Sequence, residues 1–356
     1  MSQYIIQFWT RRRPPDRGES TVKAWRIEDS FGLENLKQAD LPEPEAGHGE
    51  VVVRVRACSL NFRDTLVIKG AYGRAVRAPL VPLSDGAGEI VSVGPGVTRV
   101  RTGDRVCGTF FQGWVDGGPD DTKAATAMGG PVDGMLAEYV RLRADGVVPF
   151  PPHLSYEEAA TLPCAALTAW NGLFRSGGLK PGESVLTLGT GGVSVFAVQF
   201  AKMAGAKVIA TTSSPAKMER LRELGADTVV NYRETPDWDK PARAATDGTG
   251  VDHVVEIGGA GTLPLSLKAV RRGGHIALIG VVAGMGEIDP RPIFLKSVRV
   301  QGIYVGSRDM FEEMNRAVSA AQLRPVIDRT FALADFPHAV RHMESGAHFG
   351  KICVAL

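Results

Sequence analysis

The feature that most constrains this chain is a short apolar run, Ser184-Val185-Leu186-Thr187-Leu188, followed at once by Gly189-Thr190-Gly191-Gly192-Val193-Ser194. Val193, Phe196, Ala197, Phe200 and Ala201 then recur at helical spacing. A buried strand, a glycine turn and a helix in that order are what a dinucleotide site requires. Gly189 permits the tight turn, and Gly191 lets backbone amides approach a pyrophosphate at the positive end of the helix dipole. Thr190, Gly192 and Val193 complete the cradle. Ser194 occupies the third glycine position, so looser packing of helix on strand is expected there.

The turn lies within a region, 153–306, in which strand-length apolar runs alternate with helical patterns, the signature of parallel βαβ units. Candidate strands are 184–188, 207–211, 227–230, 253–257, 275–279 and 298–305, enough for a Rossmann-type, doubly wound parallel six-stranded sheet. Residues 21–152 read differently. Short strands at 50–57, 88–93, 105–108 and 137–142, divided by Gly and Pro, predict a partly open β-barrel. Residues 307–356 carry one helix (310–321) and return to strand-like segments, so they are expected to rejoin the first domain. Residues 1–20 precede the first strand pattern, Val22-Lys23-Ala24-Trp25, as an N-terminal extension. With 356 residues, two domains are expected and the fold class is α/β.

Forty-one Lys and Arg against 39 Asp and Glu leave a formal charge of +2, which gives no case for nucleic acid or an anionic membrane. The expected partner is a small molecule. No apolar run is long enough to span a bilayer. Arg11-Arg12-Arg13 is followed by Pro14, Pro15 and Asp16 where an export signal needs hydrophobic residues. Cys58, Cys107, Cys164 and Cys353 lack metal-ligand spacing and read as reduced thiols of a cytoplasmic protein.

The end of the second strand of this unit selects the cofactor, because a carboxylate there would bind the free ribose hydroxyl of NAD. Ala210-Thr211-Thr212-Ser213-Ser214 contains no acid. Ser214 and Pro215 pair as N-cap and first helical residue, and Ser213, Ser214 and Lys217 would form an anion site for a ribose 2′-phosphate. NADPH is therefore expected in preference to NADH, although a capped helix with a solvated lysine needs no ligand.

Gly88-Glu89-Ile90-Val91-Ser92-Val93-Gly94, Gly103-Asp104-Arg105-Val106, Leu186 to Lys202, Leu224-Gly225-Ala226-Asp227 and His253-Val254-Val255-Glu256 occur in that order. Through these segments the chain resembles the medium-chain dehydrogenase/reductase superfamily over nearly all of its length after residue 20. The resemblance implies a GroES-like barrel catalytic domain built from both chain ends, a Rossmann domain between them and a cleft where they meet. In zinc alcohol dehydrogenases of that superfamily a Cys, a His and a second Cys hold the catalytic metal. The matching places here are Asn61, Ser84 and Cys164, and one thiol beside an amide and a hydroxyl is a poor zinc site. The lobe that carries four cysteines in those relatives falls within 110–135, which has none. No zinc is expected. Asn61-Phe62-Arg63-Asp64 resembles the Asn-x-x-Asp segment of zinc-free quinone oxidoreductases and related enoyl reductases.

Without a metal, hydride transfer needs an acceptor that delocalises its own developing charge, such as a quinone or an α,β-unsaturated carbonyl. From the resemblance, the oxygen-facing candidates are Asn61, Arg63, Tyr72, Ser84 and Thr168. Asn61 comes first because an amide donates to an oxyanion, yet it would equally bond its own loop. Asp64 is expected to orient its neighbours, and Tyr72 either donates a proton or packs. His253 and His275 lie in buried-strand patterns and read as core, and Cys164 reads as an inert thiol.

The cofactor is expected to meet Gly258 and Val281-Val282 after the fourth and fifth strands of the unit, and Val305-Gly306-Ser307 after the sixth. Arg308 is within reach of cofactor or substrate. Tyr232 matches a residue near the adenosine phosphate in NADPH-binding relatives. Phe349-Gly350-Lys351 matches a segment that closes over the cofactor in some relatives, or is a surface turn. The resemblance also implies a homodimer through the edge strand 298–305. Competing readings are an enoyl-thioester reductase, a non-catalytic NADPH-binding protein of the crystallin kind and a zinc-type alcohol dehydrogenase.

Overall fold

Val185, Leu186 and Val254 are wholly buried, because parallel strands are covered on both faces, and their runs build the sheet that organises one half of the molecule. A computed structural model describes residues 20–73, 75–284 and 286–356. Most of the extension read at 1–20, with its arginine run, lies outside the described residues.

Strands β1 (Thr21–Ile27) and β2 (Leu36–Pro42) form an antiparallel pair. A seven-stranded sheet is built on β3 (Glu50–Leu60), with β4 (Asp85–Val93), β5 (Arg105–Gly108), β6 (Tyr139–Arg143) and β7 (Val147–Pro149). The Rossmann half contributes β8 (Ser184–Leu188), β9 (Lys207–Thr212), β10 (Thr228–Asn231), β11 (Val251–Glu256), β12 (Val270–Leu278) and β13 (Arg299–Gly302). The chain then returns: β14 (Ile327–Ala332) pairs in parallel with β15 (Lys351–Ala355), and β15 pairs antiparallel to β3. This half is thus an open sheet ordered β14-β15-β3-β4-β5-β7, with β6 also on β3, and draws strands from both ends of the chain.

The second sheet is six-stranded and wholly parallel in the order β10-β9-β8-β11-β12-β13. Its order reverses between β8 and β11, and the crevice beyond their C-terminal ends is where such sheets bind ligands. The expected fold class is present. The sixth strand is shorter than read: pairing ends at Gly302, and 303–305 leave the sheet after Ile303 donates to the Leu278 carbonyl at 2.9 Å.

The halves are joined by a helical run from Tyr156 to Ser176 that passes through π-helical segments at Leu162–Ala166 and Asn171–Ser176. π-Segments mark functional places in helices, and here they flank Leu167–Trp170, which carries Thr168. Trp170 packs edge-on against Phe200 of the helix after the glycine turn, which anchors this run to the nucleotide half. Among the described residues no helix is long and apolar enough to cross a membrane.

Candidate active site at the domain cleft

The glycine turn has the geometry its sequence demands. Gly189 has φ 72°, a value that disfavours any side chain. A Cβ on Gly191 would meet no atom within 4 Å, so open space lies before the turn. The helix Gly192–Met203 starts there and presents its unpaired amides to that space. Gly192 is close-packed for a different reason, since a Cβ on it would come within 2.6 Å of Lys351 Cδ. The looser packing expected at Ser194 is not found. Ser194 is buried and its Oγ donates to the Leu188 carbonyl at 2.6 Å, so the hydroxyl ties helix to strand where a third glycine would only permit close approach.

At the adenosine end, Ser214 is the N-cap of Pro215–Glu223, as read, but its hydroxyl makes no capping bond. Lys217 is not the solvated cation of a bare anion site. Its Nζ donates to the carbonyls of Gly346 at 2.8 Å and His348 at 2.9 Å, two of an ammonium's three donors. Tyr232 is exposed and its amide donates to the carbonyl of buried Thr212. Arg233, which the sequence reading missed, follows Tyr232. It is exposed, and its guanidinium has no partner among the described residues.

Beyond β11, buried Glu256 accepts from the amides of Gly258 at 2.7 Å and Gly259 at 3.2 Å and from the hydroxyls of Thr262 and Ser266. Val282 and Ala283 donate to the carbonyls of Ile257 and Gly258, so the loops after β11 and β12 form one shelf with Val281 and Val282 exposed on it. Val305 has φ 55°, strained for a β-branched residue, and is fixed by Asn171 Nδ2 donating to its carbonyl at 2.8 Å. Gly306 packs on Leu167, and Ser307 is the buried N-cap of Arg308–Ala320. Arg308 does not face the cleft. It is paired with Asp145 at 2.8 Å and lies beside Glu312.

Opposite the turn lies a buried charge cluster. Asn61 caps the helix Phe62–Ile68, and its backbone N–H donates to Asp64 Oδ2 at 2.8 Å. Lys351 enters from the far end of the chain. Its Nζ, fully buried, donates to Asn61 Oδ1 at 2.6 Å and to the Leu60 carbonyl at 2.6 Å. Asn61 Nδ2 turns toward Asp85 without a hydrogen bond of good geometry.

Asp85, also missed by the sequence reading, accepts from Ser84 Oγ at 2.7 Å and from the Cys164 amide at 3.1 Å. Burial pushes its carboxyl upward, opposed by the Lys351 ammonium and the Ser84 hydroxyl. Burial likewise pushes Asp64 up to about 6, against the pull of Arg63. Arg63 donates to Asp64 Oδ1 at 3.1 Å and to the carbonyls of Met128 and Gly129. Two cations and two carboxylates are thus interleaved. Leu83, with φ 69°, holds the left-handed turn that leads Ser84 and Asp85 into the cluster.

At the pocket's outer edge the Arg63 guanidinium lies 4.6 Å from the Tyr72 ring and 5.0 Å from the Phe110 ring. Tyr72 Oη stands 3.4 Å from Tyr304 Oη, and Tyr304 packs edge-on against Phe110 and Phe111.

Residues 47–152 match the family model of the alcohol dehydrogenase GroES-like domain, and 192–320 match that of zinc-binding dehydrogenases. A zinc-type alcohol dehydrogenase-like protein of Schizosaccharomyces pombe is 43% identical over 91% of this chain and 96% of its own length. The chain belongs to the medium-chain dehydrogenase/reductase superfamily. Quinone oxidoreductase of Mus musculus is 30% identical over 89% of this chain and 92% of its own length. A solved NAD-dependent alcohol dehydrogenase superposes with TM-score 0.85 at 35% identity, covering 94% of this chain and 99% of that one.

In this superfamily member the places that hold zinc in zinc-binding relatives are otherwise engaged. Asn61 Oδ1 accepts from an ammonium, Ser84 Oγ donates to a carboxylate, and burial raises the Cys164 thiol well above the ordinary thiol range. Among the described residues no group of three or more His, Cys, Asp and Glu side chains is placed to hold a metal. The donor set does not fit zinc.

Asn61, Asp64 and Ser84 are brought together, but within the charge cluster. Tyr72 is brought to its edge. Thr168 is buried on its helix, with no hydrogen bond to Asn61, Ser84 or Tyr72 among the described residues. Lys351 joins the two sites. Gly350 donates to the Thr190 carbonyl at 2.9 Å, so the segment read as a lid or a surface turn lies along the glycine turn and delivers Lys351 to Asn61.

Proposed function

We propose that this chain is a zinc-independent, NADPH-dependent oxidoreductase that passes hydride to a quinone or an α,β-unsaturated carbonyl. The observation that carries the reading is the buried Lys351 ammonium on Asn61 Oδ1, which puts a fixed positive charge among the places where zinc-binding relatives hold their metal. Its charge is balanced by the neighbouring carboxyls of Asp85 and Asp64, and an ammonium is no Lewis acid, so the site lacks the support that a developing alkoxide needs. The arrangement suits acceptors that delocalise charge and not simple alcohols.

When bound, NADPH supplies the hydride. The residues present fit it: the Gly189–Gly192 turn leaves the pyrophosphate's space open, and the amides of the helix start face that space. At the adenosine end the absence of an acid after β9, the uncommitted Ser214 hydroxyl, the third donor of Lys217 and the Arg233 guanidinium, unpaired among the described residues, favour a 2′-phosphate. The strained Val305 turn and the shelf at 258 and 281–282 shape the space in which the nicotinamide would face the pocket.

Stopped-flow oxidation of NADPH against quinones, enones, crotonyl-thioester and aldehydes tests the reading. Rapid turnover with quinones or enones and a kcat/KM at least about tenfold higher with NADPH than with NADH are expected, with substoichiometric zinc by metal analysis. Faster turnover of the thioester would make the chain an enoyl-thioester reductase. Tight NADPH binding without oxidation by any acceptor would make it a binding protein.

The exposed edge of β13, flanked by exposed Phe294 and Leu295, supports a homodimer, to be checked by light scattering. Four unpaired cysteines suit a reducing, cytoplasmic setting.

A further inference from the structure

Tyr304 has no part in the charge cluster, yet its position is over-determined. Its neighbours on both sides are pinned, Ile303 by its bond to Leu278 and Val305 by Asn171 and by its strained backbone. Gly306 leaves no room to shift, because even a Cβ there would crowd Leu167 at 3.0 Å. The side chain stands just past the C-terminal end of the parallel sheet, where ligands bind. It is 45% exposed while its ring makes T-shaped contacts with buried Phe110 and Phe111. Its hydroxyl meets that of Tyr72, which comes from the other half of the molecule and is itself backed by the Arg63 guanidinium. A chain that strains its backbone to hold an exposed aromatic phenol across a cleft has spent stability on something other than packing.

We propose that Tyr304 is the acceptor-reading residue of the cleft. Its ring gives one face to a planar conjugated carbonyl compound, and its hydroxyl, paired with that of Tyr72, donates to the carbonyl oxygen. This rests on the oxidoreductase reading and names its substrate class as aryl enones and bicyclic quinones in preference to small acyclic enones. Burial raises the Tyr304 phenol above its ordinary range, so the group stays protonated and serves as a hydrogen-bond donor at neutral pH.

Three variants, Tyr304→Phe, Tyr304→Leu and Tyr72→Phe, are compared with the wild type as NADPH-loaded enzymes on menadione, an aryl enone and methyl vinyl ketone. NADPH affinity and thermal midpoint are followed alongside. Tyr304→Phe is expected to lower kcat on all three acceptors by about tenfold, the loss of one neutral donor, with KM nearly unchanged. Tyr304→Leu is expected in addition to raise KM for the two aromatic acceptors by about fivefold but not for methyl vinyl ketone, since only the former stack. Tyr304→Phe within twofold of wild type on every acceptor would overturn the donor role, and equal KM changes for aromatic and acyclic acceptors would overturn the selectivity.

Binding of a non-reducible aryl ketone to the NADP⁺-loaded protein is measured by fluorescence quenching whether or not turnover occurs. A wild type that turns over no acceptor but binds this ketone, with Tyr304→Leu weakening it about fivefold, defeats the oxidoreductase reading and keeps the aromatic site. No binding, or binding untouched by the variant, defeats the site itself.

Discussion

Lys351 shows how one side chain can tie two halves of a molecule together. Its stem runs against Gly192 of the glycine turn and its ammonium ends on Asn61, so it packs against one half and hydrogen-bonds in the other. Lys351→Met removes the charge but keeps most of the volume. It is expected to cost about 3–5 kcal/mol in denaturant melts, because Asp85 and Asp64 lose a compensating cation and two buried oxygens lose their donor. The loss has a pH signature. Without the ammonium the folded-state pKa of Asp85 moves further above its unfolded value, so stability present at low pH disappears as pH rises. The gap between wild type and variant should therefore be smaller at pH 5 than at pH 8.

Gly191→Val makes the opposite kind of test. The site has room for a side chain and Gly191 has φ −75°, so the thermal midpoint should hold, while NADPH affinity measured by fluorescence falls by well over about tenfold because the new methyls occupy the pyrophosphate's space.

Among the elements, β8 and its turn were legible because everything needed to recognise them is local: a fully buried strand, a left-handed glycine and a helical stripe. Ser194 was misjudged because the sequence shows a missing glycine and hides the partner that makes serine useful. Ser194→Gly is accordingly expected to destabilise the fold by about 1 kcal/mol in urea melts, through loss of the bond to Leu188.

Asp85, Tyr304 and Arg233 were not found in advance for a related reason. Each gains its meaning from a residue distant in sequence or from the strand beside it: Asp85 from Lys351, Tyr304 from Tyr72, and Arg233 from the end of β9. An acid directly after Ser84 was the one available signal, since Ser84 had already been aligned with a ligand place. Tyr304 was concealed inside an edge-strand pattern that the structure ends two residues earlier.

At the scale of the whole molecule, several shifted groups shape the response to acid. Burial lowers His275 and His348 to about 4, below the ordinary imidazole value near 6.5. Over that window the unfolded chain binds more protons than the folded one, so stability is full above pH 6.5 and falls as the pH drops toward 4. Asp64, raised to about 6, works the other way between 6 and 3.8, and buried Asp85, also raised, acts in the same sense as Asp64. The histidine contribution is isolated by substitution: between pH 6.5 and 4 the thermal midpoint of His275→Gln should lose less on acidification than that of the wild type.

The two ends of the cleft also share a mechanical element. The stretch 346–351 is gripped at its start by Lys217, runs beside the glycine turn at Gly350, and finishes with Lys351 inside the charge cluster. A phosphate that takes the one donor Lys217 has left would clamp that stretch from outside. Occupancy of the adenosine end would then be felt as stiffness some residues away, under Asn61. Backbone hydrogen exchange over 346–352 should slow more with NADPH than with NADH, which makes this short strap a tension line between the cofactor's tail and the seat of its chemistry.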